Sequence, residues 1–319
     1  MPRFDVTTIG EGQLRLSVPV GKRLEQITQL DVSVAGTEAN VTGLLSRLGW
    51  SCGWVSSLPK GPLGRRVARE YSIAGLDVSA VAWRDTGRLA TYYVEYAVPP
   101  RSTTVIYDRK NSCFATLTVD DIDWDYLLDT RLLHLSGITI ALSASMREIQ
   151  LEAIRRAKAK GVKISFDMNY RSLLWAPEAA AIGVKPVFEA VDVLFLARGD
   201  ARRMFGFEGT PQEIVEQIAP LTNAQYIVTS LGDEGLIGWD RVQFTHQPAR
   251  EVGIIDRIGA GDAMVGGVLH GWLQNDFAKG IRYGVLTAAL ALSQWGEQIV
   301  TSSEEVETLL DSTNSDISR

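Results

Sequence analysis

Apolar residues fall along this chain in two alternating patterns. Short continuous apolar runs with little polar alternation are typical of strands that are buried on both faces. These runs are Phe4–Ile9, Trp50–Ser57, Leu132–Ser136, Val162–Asp167, Val191–Leu196 and Tyr226–Ser230. The segments with helical spacing are Glu38–Leu48, Leu63–Ala74, Ala144–Lys160, Pro177–Glu189 and Pro211–Leu221. Strands that alternate with helices in this way predict an α/β fold, with a parallel sheet covered by helices on both faces.

Two segments, 12–35 and 85–118, interrupt this rhythm because they lack a helical period and are rich in Thr, Val and Tyr. Residues of these types favour strands. We interpret the two segments as a small β-sheet inserted into the α/β domain, whose core then comprises residues 1–11, 36–84 and 119–319. The alternative is an edge extension of the main sheet with no function of its own.

The overall composition narrows the function classes. The 319 residues carry a formal net charge of −6, whereas a protein that follows nucleic-acid phosphates is expected to be basic. The two cysteines, Cys52 and Cys113, are too few for a disulfide framework or a structural zinc site. No stretch has the length of an uncharged membrane-spanning helix, and the N-terminus lacks the pattern of a secretion signal. We expect a cytoplasmic protein that binds neither nucleic acid nor a membrane.

The most informative segment lies late in the chain, where Gly259-Ala260-Gly261 precedes Asp262. The apolar residues that follow share one helical face: Met264, Val265, Val268, Leu269, Trp272 and Leu273. A glycine-rich turn therefore opens a helix, whose free N–H groups and positive dipole end attract phosphate oxygens. The neighbouring Asp262 carboxylate is suited to take the proton of an attacking hydroxyl in phosphoryl transfer. The alternative is that Asp262 only stabilises the helix dipole.

A nicotinamide-dependent oxidoreductase is disfavoured by the same segment. A dinucleotide fingerprint requires the spacing GxGxxG, and Gly266 stands at the wrong distance after Gly261. The turn also lies too late in the chain for the opening βαβ unit of a dinucleotide-binding domain.

Three motifs are familiar when they are taken together: Asp256-Arg-Ile-Gly-Ala-Gly-Asp262, Ala35-Gly-Thr-Glu-Ala-Asn40 and Thr229-Ser-Leu-Gly-Asp-Glu-Gly235. They resemble the D-T-x-G-A-G-D, G-G-x-x-x-N and T-x-G-x-x-G signatures of the ribokinase-like (PfkB) carbohydrate kinases. The departures are Arg257 for the Thr of the first motif, an Ala for the first Gly of the second, and one extra residue in the third. The resemblance covers nearly the whole chain.

The resemblance implies a Rossmann-like, three-layer core with a parallel sheet and a β lid over the sugar. It also implies ATP and Mg²⁺ as cofactors, and leaves the need for a monovalent cation open. The implied catalytic residues are Asp262 as the base and Gly259, Ala260 and Gly261 as the anion hole. The implied nucleotide-binding residues are Thr229, Ser230, Gly232, Gly235 and Gly261, and the candidate metal ligands are Asp256 and Asp200. The family's N-x-x-E motif is here Ala197-Arg-Gly-Asp200, a departure that weakens the expectation of metal binding by this element.

Three features favour an acidic sugar as the substrate. Arg171 follows a buried strand, at the end where α/β proteins bind ligands, and its planar fork suits a carboxylate or phosphate. Tyr107 and Arg109 lie two residues apart and so share one face of a predicted lid strand. Arg15 stands where ribokinases and fructokinases usually place an Asp for sugar hydroxyls, which favours an anionic ligand or none. For Arg109 and Arg171, the alternative is a surface ion pair, and for Tyr92 it is core packing within the lid.

The pattern D-x-N-Y-R-x-x-L-W from Asp167 is shared by fructokinase-like and 2-keto-3-deoxygluconate kinases, and the lid motifs are closer to the latter subgroup. In that subgroup, the substrate is contacted by the positions that match Gly36, Asn40, Tyr92, Tyr107, Arg109, Arg171 and Asp262. The resemblance thus implies phosphorylation of 2-keto-3-deoxygluconate at its 6-hydroxyl. Two alternatives stay open: a kinase of a neutral sugar such as fructose or ribose, and a non-catalytic descendant that binds sugar or nucleotide. A homodimer or higher homo-oligomer, paired through the lids, is also expected.

Overall fold

A computed structural model describes residues 2–311 of the protein, so the polar tail after Asp311 lies outside the described residues. The strands are β1 Phe4–Ile9, β2 Gln13–Val18, β3 Asp31–Ala35, β4 Cys52–Pro59, β5 Val81–Arg84, β6 Ala90–Glu95, β7 Thr104–Asp108, β8 Thr130–Ser136, β9 Lys163–Asp167, β10 Val193–Phe195, β11 Tyr226–Ser230, β12 Leu236–Trp239 and β13 Phe244–Gln247. The helices are α1 Thr37–Arg47, α2 Pro62–Ile73, α3 Trp124–Leu127, α4 Gly137–Leu142, α5 Ala144–Lys160, α6 Pro177–Phe188, α7 Arg198–Phe205, α8 Pro211–Ile218, α9 Ala260–Leu273, α10 Phe277–Leu292 and α11 Ser303–Asp311.

The main sheet has nine strands in the order β13-β12-β11-β10-β9-β8-β1-β4-β5. Every pair from β5 to β11 is parallel, which confirms the predicted α/β fold class. The β12 and β13 strands add an antiparallel hairpin at one edge, which the sequence pattern did not predict because each strand has only four residues.

The strand order reverses between β1 and β8. From β1 the chain builds outward through β4 and β5, and from β8 it builds the other way through β9, β10 and β11. In open parallel sheets, ligands bind outside the carboxyl ends of the strands at such a reversal. The topology therefore places a binding crevice where β1, β8 and β9 end.

Two apolar clusters fill the space between the sheet and its two helical layers. The α5 helix, on one side, is capped by Ser143, whose hydroxyl accepts a hydrogen bond from the Met146 amide at 3.2 Å. On the other side, α9 packs closely on α10 because Gly271 has no side chain: a Cβ there would lie 2.3 Å from the Gly280 Cα. This close packing fixes the direction in which the N-terminus of α9 points.

The second sheet has four strands in the order β3-β2-β6-β7. Its strands come from segments 12–35 and 85–118, so the prediction of a second, smaller sheet is confirmed. Tyr92 of β6 pairs with Tyr107 of β7 across the strands, and their ring centroids are 5.4 Å apart. We call this four-stranded sheet the lid sheet. Its pairing with a second copy in a homo-oligomer stays a prediction.

Between residues 2 and 311, no helix combines the length and apolar character that crossing a membrane would require.

Candidate active site

A cleft of about 430 Å³ lies where the topology places the crevice. Its floor comprises the start of α1 and the loops that follow β9, β10 and β11, and the lid sheet contributes its cover. Most of the sequence-predicted site residues line it: Gly36, Tyr92, Tyr107, Arg109, Arg171, Asp200, Ser230, Gly259, Gly261 and Asp262. The fold thus brings together residues that are separated by more than 200 positions along the chain.

The turn before α9 adopts the geometry of an anion site. Gly259 has φ of 97°, and a Cβ there would lie 2.7 Å from the Cα of Glu297, so the position requires glycine. The helix begins at Ala260, and the Ala263 amide is the first to bond back to the Gly259 carbonyl, at 3.0 Å. The preceding N–H groups have no partner within the helix, and the space beside Gly261 is open. These amides are available for an anionic group in the cleft.

Asp262 lies in the first turn of α9 and is 5% exposed. Its Oδ2 accepts a hydrogen bond from Asn40 Nδ2 at 2.8 Å, and its Oδ1 accepts one from the Thr37 hydroxyl at 3.2 Å. Burial raises the pKa of this carboxyl to about 6, although the Asn40 hydrogen bond opposes the shift. A carboxyl group with this pKa in a cleft can accept a proton near neutral pH.

Asn40, predicted to contact substrate, lies behind Asp262 and does not line the cleft. Its Nδ2 donates to Glu297 Oε2 at 3.0 Å as well as to Asp262. Its Oδ1 accepts a hydrogen bond from the Tyr71 hydroxyl at 3.0 Å. Burial raises the pKa of Glu297 to about 7, which the nearby Arg15 opposes. Glu297 lines the cleft but belongs to no motif, so sequence reasoning missed it.

Of the two possibilities for Arg15, an anionic ligand or none, the structure favours none, because its guanidinium is 1% exposed and is already paired. Its Nη2 forms an ion pair with Asp256 Oδ2 at 2.5 Å. The Asp256 carboxylate also accepts hydrogen bonds from the Tyr96 hydroxyl at 2.9 Å and the Ile258 amide at 3.0 Å. This carboxylate does not line the cleft, so of the two candidate metal ligands only Asp200 does.

The acidic side of the cleft comprises Asp167, Asp200 and Asp262, and Arg171 lies among them. Burial raises the pKa of Asp167 well above its ordinary value, and the Asp262 and Asp200 carboxylates add to the rise whereas Arg171 opposes it. Burial also raises the pKa of Asp200. Within residues 2–311, no group of three or more His, Cys, Asp and Glu side chains is arranged to hold a metal ion.

Arg109 reaches the cleft from the lid side and is held by Glu11. Its Nη2 lies 2.6 Å from Glu11 Oε2, and the Glu11 side chain is only 2% exposed. The guanidinium also lies 5.6 Å from the centroid of the Tyr107 ring. The side chain is therefore fixed in a defined direction, with part of its charge already compensated.

The predicted nucleotide motif forms the turn after β11. The Leu231 amide donates to the Gly235 carbonyl at 2.9 Å, which closes the turn. Gly232 and Gly235 both have positive φ, 72° and 100°. Ser230 lines the cleft, whereas the Thr229 side chain is buried at the end of the strand. Ala260, the remaining predicted residue, is the first residue of α9.

The raised pKa of Asp262 predicts a pH-dependent cost in stability. The folded-state pKa of about 6 exceeds the ordinary value of 3.8, so the folded protein binds more protons between these pH values. Stability should therefore fall as pH rises through this range. Between pH 4 and 8, the free energy of unfolding of the wild type should fall by up to about 3 kcal/mol relative to that of Asp262→Asn. Urea unfolding of both proteins across this range measures the difference, and a difference that is flat with pH would contradict the buried carboxyl.

Comparison with known proteins identifies the family of this chain. Residues 4–304 match the model of the pfkB family carbohydrate kinases. The chain is 36% identical over 307 residues to the 2-dehydro-3-deoxygalactonokinase of Haloferax volcanii, and this match covers 96% of each chain. It is 28% identical over 298 residues to the 2-dehydro-3-deoxygluconokinase of Bacillus subtilis, which covers 92% of this chain and 91% of that one.

Among solved structures, the crystal structure of 2-dehydro-3-deoxygluconokinase from Thermotoga maritima superposes with a TM-score of 0.91 at 30% identity. The match covers 97% of this chain and 100% of that one. The predicted resemblance and its ribokinase-like fold are thereby confirmed. Because the family model spans nearly the whole chain, the protein belongs to the pfkB family of carbohydrate kinases and is an ATP-dependent carbohydrate kinase.

Proposed function

We propose that this kinase transfers the γ-phosphoryl group of ATP to the 6-hydroxyl of 2-keto-3-deoxygluconate, or of its galactonate epimer, with Asp262 as the general base. The observation that carries the proposal is the position of the Asp262 carboxyl group. It lies in a cleft, in the same helical turn as the free amides after Gly259. A proton acceptor and a phosphate site are thus adjacent.

The reaction assigns a role to each of these groups. The substrate hydroxyl oxygen forms a bond to the γ-phosphorus as the bond from that phosphorus to the β–γ bridging oxygen breaks, and ADP leaves. The hydroxyl proton passes to Asp262. The amides at the start of α9 stabilise negative charge on the transferring group, since they are fixed in direction before the reaction begins. The Asp262 pKa of about 6 keeps the carboxyl ionised at pH 7 but still basic enough to accept a proton.

The lid sheet would exclude water from the reacting groups. Tyr92, Tyr107 and Arg109 line the cleft from this sheet. Exclusion of water prevents transfer of the phosphoryl group to water in place of the sugar.

The acidic side of the cleft fits Mg²⁺ bound together with the nucleotide. Mg²⁺ prefers oxygen ligands and is commonly held by one or two carboxylates and by substrate phosphates. Asp200 and Asp167 supply carboxylates at the cleft, whereas the Asp256 carboxylate is occupied by Arg15. When bound, Mg²⁺ would neutralise charge on the ATP phosphates.

The acidic substrate is supported from two directions. Arg109 and Arg171 line the cleft from the lid sheet and from the loop after β9, and either can pair with a carboxylate. The relatives described above are kinases of 2-dehydro-3-deoxy sugar acids, a chemical class that includes 2-keto-3-deoxygluconate. A neutral sugar has no carboxylate that could pair with the Arg109 and Arg171 guanidinium groups.

A substrate panel tests the proposal. ADP release should be measured with 2-keto-3-deoxygluconate, 2-keto-3-deoxygalactonate, fructose and ribose at equal concentrations. We expect the two keto acids to have the highest kcat/KM, and the phosphate to be found on the terminal oxygen by NMR. Fructose or ribose exceeding both keto acids would overturn the assignment of the substrate.

Replacement of the base is the second test. Asp262→Asn should lower kcat about 10²- to 10⁴-fold, because a general base contributes about this much, while ATP affinity stays nearly unchanged. In the wild type, kcat should fall about tenfold per pH unit below the Asp262 pKa of about 6. The comparison variant is Asp167→Asn, in the same cleft. Because Asp167 is also a candidate ligand for Mg²⁺, both variants are assayed at saturating Mg²⁺. A larger loss in Asp167→Asn than in Asp262→Asn under that condition would make Asp167 the base.

Recognition of the substrate carboxylate is the third test. Arg171→Ala should lower kcat/KM for the keto acids about tenfold or more, since a charge-assisted hydrogen bond is worth roughly 1.5–3 kcal/mol. Turnover of a neutral sugar should change little. Arg109→Lys keeps the charge opposite Glu11 but removes the planar fork, and should also lower kcat/KM for the keto acids. Arg155→Ala, on the exposed face of α5, is the control. Equal losses on acidic and neutral sugars would exclude a carboxylate-reading role.

A further inference from the structure

The Arg15 guanidinium is a fully buried cation between the lid sheet and the catalytic turn. It extends from β2 of the lid sheet, and its ion-pair partner Asp256 begins the segment that leads to Gly259. The exposed fractions of the two side chains are 1% and 0%. Burial of a charge requires a partner that compensates for lost hydration. Each of these two charged side chains therefore compensates for the hydration that the other loses on burial.

We propose that Arg15 is a positioning residue for phosphoryl transfer, acting as a resident cation that holds the anion-hole turn and, through Glu297 and Asn40, the base Asp262. This inference rests on the proposed function, since it assigns Arg15 a role in that reaction. Arg15 does not line the cleft, so its effect passes through the residues that it holds.

The first route runs through Asp256. Its Oδ1 accepts a hydrogen bond from the Ile258 amide at 3.0 Å, which shapes the turn just before Gly259. Its Oδ2 accepts bonds from the Tyr96 hydroxyl at 2.9 Å and the Gly296 amide at 3.3 Å. One carboxylate thus joins the turn to the lid sheet and to the loop after α10. Arg15 supplies the charge that compensates this carboxylate.

The second route runs through Glu297. Arg15 Nη1 lies 3.9 Å from Glu297 Oε1, and neither atom has a hydrogen-bond partner among the described residues. The other carboxylate oxygen, Oε2, accepts the bond from Asn40, which also donates to Asp262. Electrostatic attraction by Arg15 thus favours the ionised form of Glu297 and the orientation of Asn40 that serves the base.

A cavity beside Arg15 makes the role testable by chemical rescue. Its volume is about 380 Å³, and its lining includes Arg15, Ser17, Tyr96 and Trp295. The Arg15 side chain also lies 5.5 Å from the Tyr96 ring centroid, which forms one wall. Truncation of Arg15 would extend this cavity up to Asp256. A free guanidinium ion could then enter and reproduce the lost group.

The experiment compares Arg15→Ala with and without millimolar guanidinium, and with urea as an uncharged molecule of the same planar shape. We expect kcat to fall about 10²-fold, as for loss of an oxyanion-hole donor, with ATP affinity by calorimetry changed less than threefold. Guanidinium should restore kcat at least tenfold and urea should not. Arg23→Ala is the control, because Arg23 pairs with Glu95 near the same sheet but has no contact with the turn.

Several results would overturn the inference. They are a folded Arg15→Ala enzyme with a kcat within threefold of the wild type, a loss confined to the KM for ATP, equal recovery with urea and guanidinium, and no recovery with either.

If Arg15→Ala does not fold, Arg15→Met/Asp256→Asn removes both charges together and should fold. Its kcat should be low, and a kcat near the wild-type value would overturn the inference. A wild-type enzyme that phosphorylates no sugar acid would instead show that the proposed function has failed.

Discussion

The structure depends on the placement of a carboxyl group beside an anion site. In the proposed reaction, the amides at the start of α9 attract a phosphate, and Asp262 in the same turn would repel it if it were fully charged and hydrated. Burial changes this balance, since it raises the Asp262 pKa to about 6 and so makes the protonated form accessible. Once Asp262 has taken the hydroxyl proton in that reaction, its repulsion of the new phosphate would be lost. The same burial that costs stability therefore suits the group to its chemistry.

The local parts of this arrangement could be predicted from the sequence. Small residues before an apolar helical face predict the turn Gly259–Asp262, and α9 begins at Ala260. Strand β1 and helix α5 fall at the predicted residues because continuous apolar runs, a serine cap and a terminal glycine are local signals. The hairpin of β12 and β13 carries too few residues for a reliable period, and it was missed.

The pairings that hold the site could not be predicted because they join distant positions. Arg15 and Asp256 are 241 residues apart, and Asn40 and Glu297 are 257 apart. Seen alone, Arg15 is an arginine in a strand-like segment, and an exposed ligand-binding role was a reasonable hypothesis. Only the fold shows that its charge is buried and paired with Asp256. Asn40 was identified through its motif, but the motif does not reveal that its side chain donates to two carboxyl groups.

The buried ion pair between Arg15 and Asp256 couples the lid sheet to the turn before α9. Removal of one partner from a buried ion pair typically costs about 3–5 kcal/mol, because the other charge is left without compensation. A change at Arg15 should therefore alter both the stability of the lid sheet and the shape of the turn before α9. The β2 strand follows β1 after three residues, so Arg15 is also connected to an internal strand of the main sheet. The lid sheet and the turn before α9 are thus joined by an ion pair that lies outside the cleft lining.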